Sequence, residues 1–225
     1  RMSTSLTEIG LDLTVLVAKS FENEVALFKK LSVSKNLSGL IISRTLRNDK
    51  RFKILTDLKI PFVAHGRSLN CSASSWLDVN NERAFYDITK HFISLGHRKI
   101  AHICGSKVYN FSIQRIEEWK KALFETGIQI SSDFLQVADL SFDGGKIAMD
   151  KLLKLKELPT AVSCVSDKVA MGAMQSIRNH NLSPGKEISL IGYVELELGT
   201  WIDPPLSKMT QSIQTVGKDL AEMLV

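Results

Sequence analysis

The stretch from Pro159 to Tyr193 contains a strand, a helix and a second strand, and this pattern restricts the fold more than any other feature of the chain. The β-branched, apolar run 161–165 predicts a buried strand. Ser166 is a typical helix N-cap residue, and apolar side chains follow it at helical spacing. The run 188–191 predicts a second buried strand. Two strands joined by one helix form a βαβ unit with parallel strands and a right-handed crossover.

The same alternation of strands and helices recurs along the chain, which predicts an α/β fold with parallel sheets. The other predicted strands are 11–18, 39–43, 62–64, 76–79, 100–104, 135–140 and 206–210. The predicted helices are 2–9, 25–31, 52–58, 81–95, 112–126, 144–156, 170–177 and 215–224. So many strands in 225 residues predict two doubly wound parallel-sheet lobes. We assign 1–79 plus 205–225 to an N-terminal lobe and 80–204 to a C-terminal lobe.

The first predicted helix has no strand ahead of it. Met2, Leu6 and Ile9 lie on one helical face, and Gly10 ends the helix. In a parallel sheet such a helix crosses over from an earlier strand. We therefore expect that Arg1 is not the biological start of the protein and that the first strand is missing.

The composition is that of an ordinary globular protein. Apolar residues make up 44% and charged residues 24% of the chain, and no apolar run is long enough to cross a bilayer. The net charge of +5 is compatible with nucleic acid nearby, but the charges are scattered, as on a solvated surface. Cys71, Cys104 and Cys164 have no metal-type spacing, which predicts reduced thiols in a cytoplasmic protein.

Polar and aromatic residues follow most of the predicted strands. Open parallel sheets bind ligands beyond the carboxyl ends of their strands. The residues at these positions are Ser43-Arg44, His65-Gly66-Arg67, 105–110, 140–143, Ser166-Asp167 and 193–195. Their hydroxyls, amides, guanidinium groups and rings suit a polyhydroxylated ligand. For Arg44 and Arg67 a solvated loop arginine is the alternative, and for Asp167 it is a helix cap.

The common catalytic and cofactor motifs are absent from the sequence. It contains no G-x-G-x-x-G, no phosphate loop, no G-x-S-x-G elbow and no H-E-x-x-H. His97 and His102 are five residues apart across a turn, which disfavours a metal pair. We therefore predict a protein that is not an enzyme, with no cofactor and no metal.

Several segments, taken in order, resemble the effector-binding core of the lactose-repressor (LacI/GalR) family of bacterial transcription regulators. They are 79–82, 94–100, the arginine-containing helix 113–123, 159–174, 188–193, 204–206 and Gln211. The resemblance implies two periplasmic-binding-protein-like lobes (type I), a small-molecule effector in the cleft between them, and a homodimer. It also implies operator DNA as a partner, bound through an N-terminal helix-turn-helix domain that is absent from this chain.

The resemblance also implies roles for individual residues. Arg115 matches the arginine that grips the effector, Arg67 matches a cleft-facing strand end, and Ser166 matches a polar contact. Leu140 or Phe142 matches the stacking aromatic. The full set of predicted effector contacts is Arg115, Arg67, Ser166, His65, Phe142, Tyr109, Asn110 and Glu195.

Two residues depart from the family pattern, and two indicate self-association. Val194 replaces an acid that contacts effector hydroxyls, unless Glu195 or Asp143 substitutes for it, and Glu118 replaces a usual glycine. Met171 and Met174 match positions that face the partner subunit, although core packing explains them equally well. We predict that both are exposed and lie in the dimer interface.

These features together predict the effector-sensing domain of a transcriptional repressor, with a sugar or glycoside as its ligand. The alternative is a solute-binding protein of a sugar transport system, which shares the fold. Arg115 is the residue that we predict to contribute most to binding, because a planar guanidinium can grip two adjacent hydroxyls. On the sequence alone, Arg115→Lys should weaken binding and leave the melting temperature unchanged.

Overall fold

The computed structural model describes residues 2–8, 10–34, 36–71, 74–193, 198–211 and 213–224. The helices are α1 Met2–Glu8, α2 Phe21–Ser32, α3 Lys50–Asp57, α4 Asn81–Ser94, α5 Asn110–Phe124, α6 Phe142–Leu152, α7 Asp167–Asn179, α8 Leu198–Trp201 and α9 Ile213–Leu224. The strands are β1 Leu40–Ile42, β2 Phe62–His65, β3 Ser75–Leu77, β4 Ile100–Cys104, β5 Leu135–Val137, β6 Ala161–Cys164, β7 Ser189–Tyr193 and β8 Ser207–Met209. None of the helices in these ranges is long and apolar enough to span a membrane.

The strands form two sheets, and every strand pair in both sheets is parallel. One sheet has the order β1-β2-β3, and the other has the order β5-β4-β6-β7-β8. The predicted α/β class with two parallel sheets is therefore confirmed. The chain divides into two compact units, which we call unit 1 (Arg1–Val79 with Ser212–Val225) and unit 2 (Asn80–Gln211).

Unit 1 packs helices against its three-stranded sheet. Its core contains Phe28 of α2, Phe52 and Leu55 of α3, and Ile42 and Ala64 of the strands. Helix α9 returns from the far end of the chain to pack on α1 and on all three strands. One of the helices that cover this sheet therefore comes from a segment that is distant in sequence.

Unit 2 has helices on both faces of its sheet. Successive residues of a strand point to opposite faces, so a strand whose residues are all apolar or buried needs a helix layer on each face. Ala101 and Ile103 of β4 face the core formed with α6 and α7. The side chain between them, His102, lies against Phe85 of α4 and Trp119 of α5. The buried pattern of all five β4 residues reflects this double coverage.

Helices α6 and α7 cross at two glycines. A Cβ atom at Gly145 would overlap the carbonyl oxygen of Val169, and one at Gly172 would overlap the carbonyl oxygen of Phe142. The absence of side chains therefore allows the two backbones to touch. This crossing brings the amino-terminal ends of both helices to the carboxyl edge of the sheet.

The predicted strand 11–18 is wrong. These residues form no regular structure, and Val15 and Val17 are 78% and 85% exposed. A strand requires a neighbour to pair its backbone groups, and no strand in the described part of the chain pairs with this segment. Its β-branched residues alone are therefore insufficient to form a strand.

The predicted lobe boundary after Pro204 also differs from the structure. Strand β8 pairs with β7 through Ile191 and Ser207, and so belongs to unit 2. The change of unit falls after Gln211, because the sheet extends to include the returning strand. The sequence prediction assigned β8 to the wrong unit.

Candidate functional site

Three helices of unit 2 begin at the carboxyl edge of its sheet. The Ser141 hydroxyl accepts a hydrogen bond from the Gly144 N–H at 3.0 Å and caps α6. The Ser166 hydroxyl accepts one from the Val169 N–H at 3.4 Å and caps α7. Both serines have the extended backbone that precedes a helix. Ser166 therefore has a structural role at the position where we predicted an effector contact.

The Arg115 guanidinium lies at the centre of this edge and is 6% exposed. Its Nε and Nη2 donate hydrogen bonds to Oδ1 of Asn81, at 2.9 and 2.7 Å. Its Nη1 donates to the carbonyl oxygen of Val165 at 2.8 Å. The arginine thus joins α4, α5 and the end of β6, three elements that are distant in sequence.

Aromatic rings surround the same guanidinium. Its central carbon lies 4.1 Å from the ring centroid of Tyr193, 4.8 Å from that of Phe111 and 5.0 Å from that of Phe85. Such contacts are electrostatically favourable, because the ring faces carry partial negative charge. Tyr109 stacks on Phe111 with ring centroids 5.4 Å apart and planes at 8°. Tyr109 and Phe111 are both partly exposed, so this stack presents an accessible aromatic surface.

Gly105 makes room for this arrangement where β4 ends. A Cβ atom there would lie 2.9 Å from the Ser112 hydroxyl and 3.3 Å from a methyl carbon of Leu140. It would also lie 3.7 Å from the ring of Phe111. Glycine therefore allows α5 and the loop before α6 to approach the end of the strand.

The contacts of Arg115 change one expectation. From the sequence, we expected the Arg115 side chain to have no structural role, so that Arg115→Lys would leave the melting temperature unchanged. A lysine cannot reproduce bonds to both Asn81 and Val165, since it lacks the planar fork. We now expect the substitution to destabilise unit 2 as well as weaken binding, because buried acceptors would lose their donors.

The carboxyl edge of the unit 1 sheet holds a second group of the predicted residues. The Arg67 Nε and backbone N–H both donate to Oδ2 of Asp78, at 3.3 and 3.0 Å. The guanidinium also lies 5.7 Å from the centroid of the Trp76 ring. Burial lowers the pKa of His65, and the nearby charge of Asp78 opposes that shift. These neighbours fix Arg67 at the end of β2.

The remaining predicted contacts have different surroundings. Asn110 is the first residue of α5 and is 6% exposed. Phe142 begins α6 and is 43% exposed, and among the described residues it is not one of the rings around the Arg115 guanidinium. Glu195 and the departure at Val194 lie outside the described residues. No group of His, Cys, Asp and Glu side chains within the described ranges could hold a metal ion.

The two methionines of α7 are not an exposed pair. Met174 is 2% exposed and belongs to the core of unit 2. Met171 is partly buried and packs against that core. The expectation of two exposed methionines is therefore wrong, because the helix face that holds Met174 packs on the sheet.

Sequence reasoning missed the residues that hold Arg115 in place. Asn81 and Phe85 lie 34 and 30 positions earlier in the chain, on a helix whose apolar residues indicated only core packing. Phe111 lies one turn before Arg115, and this i, i+4 spacing could have indicated a contact. Tyr193 was included among the strand-end residues but received no role.

Comparisons with known proteins identify the family. A profile of the periplasmic binding protein-like domain matches residues 89–225. The regulator AglR of Rhizobium meliloti is 34% identical over 94% of this chain and 60% of its own length. The ribose operon repressor of Haemophilus influenzae is 31% identical over 85% of this chain and 57% of its own length. The chain thus spans about 60% of the length of these relatives.

The fold agrees with these sequence matches. The solved structure of a transcriptional regulator from Yersinia pestis superposes with a TM-score of 0.88 at 27% identity. The match covers 99% of this chain and 80% of that structure. The resemblance found in the sequence is therefore confirmed. This chain belongs to the family of periplasmic binding protein-like domains, and it is similar to transcription regulators such as AglR.

Proposed function

We propose that this chain is the effector-sensing domain of a transcriptional repressor and that a carbohydrate binds at the carboxyl edge of the unit 2 sheet. The observation that carries the proposal is the Arg115 guanidinium among Phe85, Phe111 and Tyr193. An arginine beside an accessible aromatic stack combines a hydrogen-bond donor with an apolar face. Carbohydrates offer both matching surfaces, namely hydroxyl oxygens and the C–H face of the ring.

Tyr109 and Phe111 are the residues that would contact the apolar face of the sugar. Their parallel rings are partly exposed; Tyr109 directly precedes α5, and Phe111 is the second residue of that helix. Arg115, Asn110 and Ser166 would contribute polar groups at the same edge. A sugar class agrees with the name of one relative, the ribose operon repressor.

We further propose that the whole protein acts as a homodimer on operator DNA. AglR, which this chain matches over 60% of its length, is named as a helix-turn-helix regulator. The DNA-reading helices would therefore belong to a segment outside the present chain. Leu198 and Trp201 of α8 are 58% and 84% exposed, and large exposed apolar side chains of this kind often mark protein contact surfaces.

The alternative function is a solute-binding protein of a sugar transport system, with the same fold and the same type of ligand. The relatives favour the regulator, because AglR and the ribose operon repressor are both named as regulators. Catalysis has no support in this group of residues. Operator binding by the full-length protein, released or strengthened by the sugar, would distinguish a regulator from a transport protein.

The ligand class is tested by titrating the purified chain with ribose, glucose, maltose, cellobiose and glucose 6-phosphate. Thermal shift identifies the binding sugars, and calorimetry then measures their affinity. Tyr109→Ala should weaken binding about two- to ten-fold, because an aromatic contact contributes about 0.5–1.5 kcal/mol beyond its buried area.

The matched control is Tyr86→Ala, because this tyrosine lies on α4 and its hydroxyl bonds Glu125. It should leave the affinity unchanged. If none of the sugars binds, or if Tyr109→Ala binds as tightly as the wild type, the proposed carbohydrate site is wrong.

A further inference from the structure

Unit 2 contains a cavity of about 200 Å³ at the amino-terminal end of β7, away from the Arg115 group. Strand β6 pairs with β7 from Ser189 onward, whereas β8 pairs with β7 only from Ile191 onward. The start of β7 therefore extends past the start of β8 by Ser189 and Leu190. The cavity lies beside these two residues, where the sheet is one strand narrower.

Most of the cavity wall is apolar and comes from both faces of the sheet. The end of α4, the middle of α7 and the loops before β7 and β8 all contribute to it. The apolar lining includes Phe92, Leu95, Met174, Pro184, Pro204 and Pro205. Apolar walls with a few polar groups are typical of small-molecule sites.

Hydrogen bonds within unit 2 hold the loops that form this wall. The Gly185 N–H donates to the carbonyl oxygen of Ile188 at 2.8 Å, which folds the loop before β7 onto that strand. The Arg178 guanidinium of α7 donates to the carbonyl oxygen of Asp203, which joins the loop before β8 to the helix. The cavity is therefore shaped before any ligand enters it.

Three polar side chains lie among the apolar groups. His91, Ser189 and Ser207 line the cavity, and their side chains form no hydrogen bond or ion pair with another described residue. None of the lining residues that the structure describes is Asp, Glu, Lys or Arg. The lining therefore suits an uncharged molecule that offers a hydrogen-bonding group.

The volume and the lining together restrict the size and the type of this molecule. An apolar cavity of about 150 Å³ can hold benzene. A volume of about 200 Å³ therefore accommodates one aromatic ring with a small substituent. Proline rings and methionine sulfur both pack favourably on aromatic rings. A sugar fits poorly, because the apolar wall would leave most of its hydroxyls without partners.

We propose that this cavity binds a small, uncharged aromatic compound that carries a hydroxyl group. The ring packs on Leu95, Met174 and the prolines, and the hydroxyl bonds to Ser189 or Ser207. Ser189 and Tyr193 of the Arg115 group lie at opposite ends of β7, roughly 13 Å apart along the strand. The site is therefore separate from the proposed carbohydrate site, and the protein would respond to a second, chemically different small molecule.

The probes are phenol, toluene and benzoate, each titrated into the purified chain and followed by the amide signals in nuclear magnetic resonance. Phenol should bind with a Kd of about 1 mM, as expected for so small a ligand. It should shift the signals of Ser189, Leu190 and Ser207 and leave that of Asn110 unchanged. Benzoate should bind at least about ten-fold more weakly, because the described lining has no cation to pair with its charge.

Variants test the two parts of the site. Leu95→Ala should weaken phenol binding about five- to ten-fold and keep the fold, since this side chain is 61% exposed. Phe124→Ala is the matched control, because Phe124 is 80% exposed at the end of α5 and lies outside the cavity. The double variant Ser189→Ala/Ser207→Ala should weaken phenol binding about two- to ten-fold and leave toluene binding unchanged, since toluene has no hydroxyl.

The proposal is wrong if phenol leaves the three signals unchanged, or if Leu95→Ala binds phenol like the wild type. Benzoate binding as tight as that of phenol would reject the uncharged class, and equal losses for phenol and toluene in the double variant would reject the hydroxyl contact. If the same signals shift with protein concentration alone, a second copy of the chain covers the cavity and the small-molecule assignment fails. The sugar titration is independent of all these results.

Discussion

His102 is a fully buried histidine in the layer beneath Arg115. Burial lowers its pKa from 6.5 to about 3; a hydrogen bond with Ser163 opposes this shift, and the charge of Arg115 adds to it. Its Nδ1 lies 3.0 Å from the Ser163 carbonyl oxygen, while its Nε2 has no hydrogen-bond partner among the described residues. Protonation would therefore place an unpaired N–H in the core. The neutral ring is the form that the folded protein accepts.

This residue makes the folded state sensitive to acid. Because the pKa is lower in the folded than in the unfolded protein, the unfolded chain binds the additional proton below pH 6.5. The stability that this group contributes is present above pH 6.5 and is lost as the pH falls towards about 3. Its share of the unfolding free energy should fall by about 1.4 kcal/mol per pH unit within this window. Urea denaturation between pH 7 and 4.5 measures the slope.

The contribution of His102 is isolated by measuring how the unfolding free energy of His102→Gln changes with pH. This slope can be compared with that of the wild type whatever the absolute stability of the variant. The glutamine variant should lose stability less steeply with acid than the wild type. His91→Gln, at an exposed position on α4, should keep the wild-type slope. Equal slopes for the wild type and His102→Gln would show that the buried histidine does not control acid unfolding.

In unit 2, the packing of α6 against α7 depends on direct contact between the two backbones. At Gly172, a Cβ atom would meet the Phe142 carbonyl group and the Lys146 nitrogen, which belong to the backbone and cannot rotate away. The helices would have to separate, and their amino-terminal ends would move at the candidate site. The spacing of these two helices is therefore set by glycine.

Gly172→Ala should lower the free energy of unfolding by about 3 kcal/mol or more, because overpacking against backbone has no local remedy. Gly199→Ala is the matched control, since a Cβ there would meet only ordinary contacts at 3.6 Å or more. The control should change stability by less than about 1 kcal/mol. Chemical denaturation of both variants provides the measurement, and a neutral Gly172→Ala would contradict the close crossing.

Most elements were predictable because their patterns are local. The apolar stripe of α4 and the glycine after it, with φ of 91° at Gly96, predicted that helix from sequence alone. The prediction of a strand at 11–18 was wrong because strand formation depends on a neighbouring strand, which local composition does not reveal. The Asn81–Arg115 hydrogen bond was not predicted for the same reason, since its partners are 34 residues apart. Strand-end positions were predictable, but the contacts made there were not.

In the whole molecule, the two units differ in whether one stretch of the chain or two separate stretches form them. Unit 2 is one uninterrupted stretch, Asn80–Gln211, with a five-stranded sheet covered on both faces. Unit 1 is assembled from two separate stretches and a three-stranded sheet. A continuous stretch with its own core satisfies the usual condition for independent folding.

We predict that a fragment of residues 80–211 folds alone and that a fragment of residues 1–79 does not. The first should show cooperative unfolding and a near-ultraviolet signal from Trp119, which is fully buried. The second should lack both properties, because α9 supplies buried residues such as Leu220 to unit 1. Circular dichroism with thermal melting checks both fragments. A non-cooperative melt of 80–211 would contradict the division into units.

The late position of α9 has a consequence for protein synthesis. Leu224 of this helix fits against Gly39, the residue before β1, so the two segments of unit 1 meet only after the whole of unit 2 has been synthesised. Residues 1–79 leave the ribosome before unit 2, and α9 leaves it after unit 2. During that interval the nascent chain exposes apolar surface of unit 1 to chaperones while unit 2 can already fold. A premature stop codon just after Gln211 would therefore yield a polypeptide with one finished half and one half that quality control degrades.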